Sequence, residues 1–290
     1  MPNINPQIFR EYDIRGVVDD DITDEIVERI GKAYGTYMNK LGKETVSIGR
    51  DCRLSSPALS EAMIRGMIST GLNVIDLGMV TTPMVYFSLF NLNVDGGAII
   101  TASHNPSQYN GIKLCVDKDS IFGQGIQKIY KIAIEGNFAT GNGKVETVDI
   151  MESYLIFLRN NFEIKTGIRV AIDCGNAMVG IVAPKILKDF GCELTELYIK
   201  PDGRFPNHHP DPTVEENIED LINTVKNEKL QLGIGFDGDG DRIGVVDENG
   251  NIIWGDMLVL IFSRDILEQI PKAKIIGDVK CSNRLFKDIE

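Results

Sequence analysis

The 290-residue chain is poor in the features that mark secreted, membrane or nucleic-acid-binding proteins. Its five cysteines, at 52, 115, 174, 192 and 281, are odd in number, scattered and without a C-x-x-C pair. That excludes a disulfide frame or a cysteine zinc site and reads as reduced thiols in a cytoplasmic protein. No apolar run approaches 18 residues; "MLVLIF" at 257–262 is among the longest, which argues against a membrane span. The opening "MPNINPQIFREYDIRG" lacks the basic region and apolar core of a signal peptide. Positive charge is scarce as well. Lysine and arginine total 30 against 42 acidic residues, for a net charge of -12 and a pI near 4.8. The richest lysine stretch, "KNEK" at 226–229, is no basic patch, so neither nucleic acid nor an anionic membrane is expected as a partner.

What remains is an ordinary globular composition, 43% apolar and 25% charged, in a chain long enough for more than one domain. Three stretches share one order. "ETVSIGRDCRLSSPALSEAMIRGMISTGLNVIDLG" (44–78) is an apolar run, a polar loop, an amphipathic helix and a second apolar run; "IRVAIDCGNAMVGIVAPKILKDFGCELTELYI" (168–199) repeats it. "AKIIGDVKCSNRLFKDIE" (273–290) begins in the same way. Short apolar runs bounded by turn residues suit buried parallel strands, and their alternation with helices predicts an α/β fold. Ser55 or Ser56 before Pro57 predicts a helix start. The divisions are expected at 1–148, 149–251 and 252–290, the last as the incomplete start of a third domain.

"LGIGFDGDGDRIGVVDENG" (232–250) places Asp237, Asp239 and Asp241 at alternate positions, with Glu248 eleven residues after the first. This nearly spells an EF-hand calcium loop, but the sixth position, where a glycine makes the turn, is Arg242. The flanks also read as a strand and a hairpin turning at Asn249-Gly250 rather than as two helices. An acidic turn needs only one aspartate. Three that repel one another, separated by glycines that let the loop curl, suggest a divalent-metal site, and hard oxygen ligands suit magnesium. Arg242, next in line, offers a fork for a phosphate. The loop is expected to be exposed.

"TASHNPSQYNGIK" (101–113) carries Ser103 beside His104. A Ser-His-Asp hydrolase is disfavoured, because neighbours on an extended strand point to opposite faces and there is no G-x-S-x-G elbow. His208 and His209, in a proline-rich loop, are expected to be solvated.

Taken together, "TASHNP", "YNGIK", "DGDGDR", "EYDIRG" and "FPNHHPDP" resemble the α-D-phosphohexomutases, most closely their phosphomannomutase/phosphoglucomutase group. The resemblance runs from "EYDIRG" to "VKCS" at 279–282. It implies repeated three-layer α/β/α domains with mixed, mostly parallel sheets. It also implies a phosphoserine enzyme: Ser103 matches the phosphorylated serine, which gives its phosphoryl group to a hexose phosphate and recovers one from the bisphosphate intermediate. Asp237, Asp239 and Asp241 match the Mg2+ ligands, with an oxygen of the phosphorylated Ser103 completing the set. The partners implied are mannose or glucose phosphates and hexose 1,6-bisphosphate.

Arg15 and Lys113 match residues near the transferring phosphate and are candidates for acid/base work, which would require a pKa depressed by burial or by neighbouring positive charge. His104 is expected to contact the phosphoserine and Tyr12 to shape the pocket. Arg242 and Lys280 match phosphate- or substrate-contacting positions. Arg50 and Asp51 of "GRD" are read as a structural ion pair.

Members of that group usually carry four domains, the third with a Glu-x-Ser-Gly loop and the fourth with a phosphate-holding loop; this sequence contains neither. Mutase turnover by these 290 residues is therefore expected to be very low. The competing reading is a non-catalytic metal- and phosphate-binding or assembly module. Residues 252–290 are expected to form one strand and two helical segments whose apolar face pairs with a second copy, as a homodimer, or is protease-sensitive.

Overall fold

The computed structural model describes residues 4–289; the first three residues of the 1–148 segment and the last of 252–290 lie outside the described residues. After a short 3-10 turn at Pro6–Ile8, the chain runs β1 (Ile14–Val17), α1 (Asp24–Lys40), β2 (Thr45–Arg50), α2 (Ser56–Ile68), β3 (Asn73–Met79) and α3 (Thr82–Asn91). It continues through β4 (Gly96–Ile100), β5 (Tyr109–Val116), β6 (Asp119–Ser120), α4 (Gln124–Glu135), β7 (Val145–Thr147) and α5 (Met151–Asn161). These strands form one sheet in the order β1-β5-β4-β2-β3-β7, with β6 on β5.

The helices start where side chains can satisfy free backbone amides. Thr23 accepts from the Ile26 N–H at the start of α1, and Asp24 and Glu25 oppose the dipole there. Before α2, Ser55 takes the cap position as expected but makes no capping bond: its Oγ accepts from Asn110 Nδ2, and Ser56 Oγ donates to Asp51. One face of the sheet is covered by α1, α2 and α4, whose Ile26, Ile30, Met63, Met67 and Ile129 pack on Val46, Ile48 and Ile112.

The second unit contains β8 (Arg169–Asp173), α6 (Ala183–Asp189), β9 (Glu193–Leu197), α7 (Glu219–Glu228), β10 (Leu232–Phe236), β11 (Ile243–Asp247) and β12 (Ile252–Ile253). Its sheet order is β12-β11-β10-β8-β9. Both sheets are mixed. The β4–β2–β3–β7 and β10–β8–β9 pairings are parallel, whereas β4–β5 and β10–β11 are antiparallel. The antiparallel pairs are the ones that matter for function, because each returns through one of the two loops singled out above.

The units share apolar contacts. Ile186 of α6 and Val182 just before it join Met84, Val85, Ile150 and Leu155 in one cluster, and Phe87 of α3 meets Tyr154 and Phe157 of α5 at 5.3 Å between ring centroids. The other face of the second sheet is closed by Leu221 and Val225 of α7.

Beyond β12 the chain forms α8 (Gly255–Gln269) and α9 (Asn283–Ile289), which bury Leu260 and Leu285 and are tied by an Arg264–Asp288 pair. The strand expected in "KIIGDV" is absent: 274–279 has no regular structure, and Ile276 and Val279 are 91% and 96% exposed. A strand needs a neighbour for its backbone groups, and none of the described residues supplies one.

Candidate active site

The two loops meet. Ser103 follows β4 with φ of +50°, a left-handed conformation that an L side chain adopts only at a cost of about 1–3 kcal/mol. Its N–H donates to Thr101 Oγ1, and its Oγ donates to Asp237 Oδ2 at 2.5 Å, across from the second unit. The same twist brings Ser103 Oγ within 3.3 Å of His104 Nδ1. The expectation that these neighbours diverge is therefore wrong here, because the chain is not extended at Ser103. His104 in turn meets Arg242 Nη1 at 2.8 Å.

The acidic loop is built around its own first carboxylate. Asp237 Oδ1 accepts from the N–H groups of Gly240, Asp241 and Arg242 at 3.0–3.1 Å. Asp239 Oδ2 accepts from Thr82 Oγ1 at 2.6 Å and Lys113 Nζ at 2.8 Å, and Lys113 also reaches Asp241 Oδ2 at 2.6 Å. Contrary to expectation, the first half of this loop is inside the protein: Asp237 and Asp239 are fully buried, and of the three aspartates only Asp241 is exposed. Gly238 is required by the contact itself, since a Cβ there would lie 2.1 Å from the Ser103 carbonyl oxygen.

The three carboxylates offer oxygens within 4.8 Å of one another. Burial, then the neighbouring Asp239 and Asp241, pushes the Asp237 carboxyl up to about 8. Asp239 Oδ1 is buried with no hydrogen-bond partner. An orphaned buried carboxylate oxygen beside a carboxyl that resists ionisation is the environment a hard cation would relieve, so the residues fit a divalent metal.

Lys113 lies between two of the aspartates. Burial pulls its pKa down, but Asp239 and Asp241 outweigh burial and hold it raised, the opposite of the depression that work as a base would require. Arg15 donates to Asn105 Oδ1 at 2.7 Å and pairs with Asp13, leaving a buried Nε unpartnered. Arg15, Lys113, His104, Arg242, Asp241 and an exposed Tyr12 line one cavity of about 620 Å³, together with Tyr86, Ser120 and Phe122. Ser103 is buried at this junction and does not line the cavity. Lys280 is not brought to it either; it lies exposed in the turn before α9.

Two other expectations change. Asp51 does pair, but with Arg53 rather than Arg50, at 3.1 Å in a fully buried bridge. His208 is not solvated: its Nε2 lies 3.0 Å from both oxygens of buried Asp173, and its pKa is raised because that carboxylate outweighs burial. Burial, followed by Arg242, lowers His104.

The sequence reading missed Thr82 and Arg53. Thr82 was hidden because it comes from a helix start with no motif. Arg53 stands two residues after Asp51 in "GRDCR", a spacing that hints at a local pair but not at what the guanidinium reaches.

Family models for phosphoglucomutase/phosphomannomutase α/β/α domains I and II match residues 6–140 and 152–250. A phosphomannomutase/phosphoglucomutase of Pseudomonas aeruginosa is 43% identical over 285 residues, 98% of this chain and 62% of its own length. A phosphoglucomutase of Neisseria meningitidis is 43% identical over 288 residues, again covering 62% of that protein. A crystal structure of a phosphoglucomutase/phosphomannomutase family protein from Burkholderia thailandensis superposes with a TM-score of 0.96 at 38% identity, over 99% of this chain and 64% of that one. The chain thus spans a little over three fifths of the relatives it matches. With two successive domain models of one family in order along it, and their loops meeting across the sheet ends, the chain belongs to the phosphoglucomutase/phosphomannomutase family of α-D-phosphohexomutases.

Proposed function

We propose that residues 1–148 and 149–251 form the phosphoryl-transfer centre of a mutase interconverting hexose 1-phosphate and 6-phosphate, mannose or glucose, through a phosphorylated Ser103 and a hexose 1,6-bisphosphate. The observation that carries this reading is the 2.5 Å contact between Ser103 Oγ and Asp237, which ties the serine to a three-carboxylate cluster.

Asp237, Asp239 and Asp241 would hold Mg2+, which, when bound, neutralises charge on the transferring phosphoryl oxygens. In transfer to the sugar, the bond from phosphorus to Ser103 Oγ breaks, one to a sugar hydroxyl oxygen forms, and the proton lost by that hydroxyl is balanced by one gained at Ser103 Oγ, which ends as a free hydroxyl. Arg15, Lys113 and Arg242 present positive charge to the cavity, and His104 lies against Ser103 Oγ. Lys113, paired with Asp239 and Asp241, serves as an electrostatic partner and remains a candidate proton donor. The sugar itself is bound in the 620 Å³ cavity, with Tyr12 and Phe122 at its rim.

Incubation of the chain with glucose 1,6-bisphosphate and Mg2+ should add one phosphate at Ser103, and Ser103→Ala should remove it. Tandem mass spectrometry that places the phosphate elsewhere, or finds none, defeats the reading.

A further inference from the structure

The strongest unassigned feature is Arg53, a guanidinium 1% exposed that touches neither the acidic loop nor the cavity. All five of its N–H donors are used. Nε donates to Asp51 Oδ2; Nη1 donates to the carbonyls of Pro106 and Tyr109; Nη2 donates to those of Ser103 and Asn105, at 2.6–3.1 Å throughout. Four of those acceptors are backbone oxygens of the loop that carries the serine. Pro106 O also accepts from the Tyr109 N–H, but only a planar five-donor fork can gather all four carbonyls at once. Asp51, itself held by Ser56 Oγ and the Arg53 N–H, neutralises the buried charge.

The second unit closes the seat. Phe205 of "FPNHHPDP" lies over the guanidinium, 5.1 Å from its ring centroid, and is itself held at φ of +49°. Gly203 of the same loop sits so close that a Cβ would meet Cys52 O at 2.3 Å and Arg53 Cα at 2.6 Å. The strained backbone of Ser103 is thus fixed by a residue of the first unit whose exposed face is covered by the second.

We infer that Arg53 is a positioning residue for Ser103, and that Phe205 completes its seat, so that docking of the 203–210 loop sets the geometry from which the serine reacts. This rests on the function proposed above. Arg53 does not touch substrate; it acts through the loop.

The test compares wild type, Arg53→Lys and Phe205→Leu as the full 290-residue chain. Arg53→Lys keeps the charge opposite Asp51 but loses the fork; Phe205→Leu leaves all five hydrogen bonds in place. Single-turnover phosphorylation by glucose 1,6-bisphosphate with Mg2+ is followed by intact mass across bisphosphate concentrations. The maximal rate should fall about 10- to 100-fold in Arg53→Lys, the loss expected of a reacting group misplaced by an ångström, and severalfold in Phe205→Leu. The half-saturating concentration should change less than the maximal rate, because neither Arg53 nor Phe205 itself lines the cavity.

Amide hydrogen exchange gives an arm that needs no activity. Ser103–Tyr109 should exchange faster in Arg53→Lys, with α2 and β4 unchanged. A wild type that takes no phosphate at Ser103 sinks the proposed function, not the positioning, which exchange still decides. Unchanged exchange at 103–109, or acceleration spread evenly over the first sheet, overturns the inference. So does a variant whose loss lies wholly in half-saturation.

Discussion

The serine loop and the acidic loop occupy equivalent places, each leaving one strand and returning antiparallel on the next, yet they are held by opposite means. The acidic loop folds around its own carboxylate: Asp237 Oδ1 collects three N–H groups from within five residues. The serine loop presents carbonyls instead, and these are collected by Arg53, fifty residues away. One geometry is local and travels with its sequence. The other is borrowed, and depends on the packing of α2 and of the 203–210 loop.

The largest expected effect separates these two roles of Asp237. Asp237→Ala removes both the charge and the acceptor that gathers the loop, leaving three amides without a partner at about 1–3 kcal/mol each if they stay buried. Asp237→Asn removes the charge but keeps an oxygen that can accept. Both should weaken Mg2+ binding strongly by calorimetric titration, while hydrogen exchange at 238–242 should rise in the alanine variant alone. Equal exchange in the two variants would show that the loop does not depend on its own carboxylate.

The contact between the loops is the next place to press. Gly238→Ala inserts a methyl where only 2.1 Å separates it from the Ser103 carbonyl, and that carbonyl is pinned by Arg53. Overpacking of this kind costs about 1–3 kcal/mol in urea unfolding. The variant should also slow phosphorylation of Ser103 by parting its Oγ from Asp237. A variant as stable and as fast as wild type would mean that the loops separate freely.

Legibility in the sequence follows the same division. "DGDGDR" could be read because its chemistry lies in consecutive residues, and the α/β alternation because apolar runs and helices recur within short windows. Arg53 and Thr82 escaped notice because their importance is a matter of what tertiary packing brings to them. Ser103 and His104 were misjudged for a related reason: their approach depends on one left-handed residue, and nothing in "TASHNP" announces a positive φ. His208 was misplaced because a proline-rich loop normally faces water, whereas this one is drawn inward by buried Asp173. The "KIIGDV" strand was wrongly expected because apolar, β-branched residues specify a strand only when a neighbouring strand is there to pair with.

A smaller effect measures the strain at Ser103. Glycine tolerates φ of +50° where alanine does not, and both remove the hydroxyl, so the pair isolates the backbone term. Ser103→Gly should be more stable than Ser103→Ala by about 1 kcal/mol in denaturant unfolding. An equal or reversed order would show that the loop relaxes once the hydroxyl is gone, and that Arg53 does not impose its conformation.

The gentlest effect is a slope with pH, and it reports on the anchor of the loop that carries Phe205. His208 Nε2 meets both oxygens of Asp173, while its Nδ1 faces the His209 carbonyl; Tyr198 stacks edgewise at 5.3 Å, and Asp220 is the other nearby charge. Its folded pKa is raised above 6.5, so the ion pair's stabilisation is fully present below that value and is lost as pH rises through the folded pKa. His104 and His209 are both lowered, by burial first, so their contributions are complete above 6.5 and add no slope there. Asp237 is raised, and its contribution falls with pH in the same direction, so wild type alone does not isolate His208. The difference between wild type and His208→Gln does, because Asp237 is common to both. That difference, from urea unfolding at several pH values, should be largest near pH 6 and shrink steadily above 6.5. A gap that is constant or widens with pH would show that His208 holds the 203–210 loop as a neutral ring, and that the seat over Arg53 owes nothing to an ion pair.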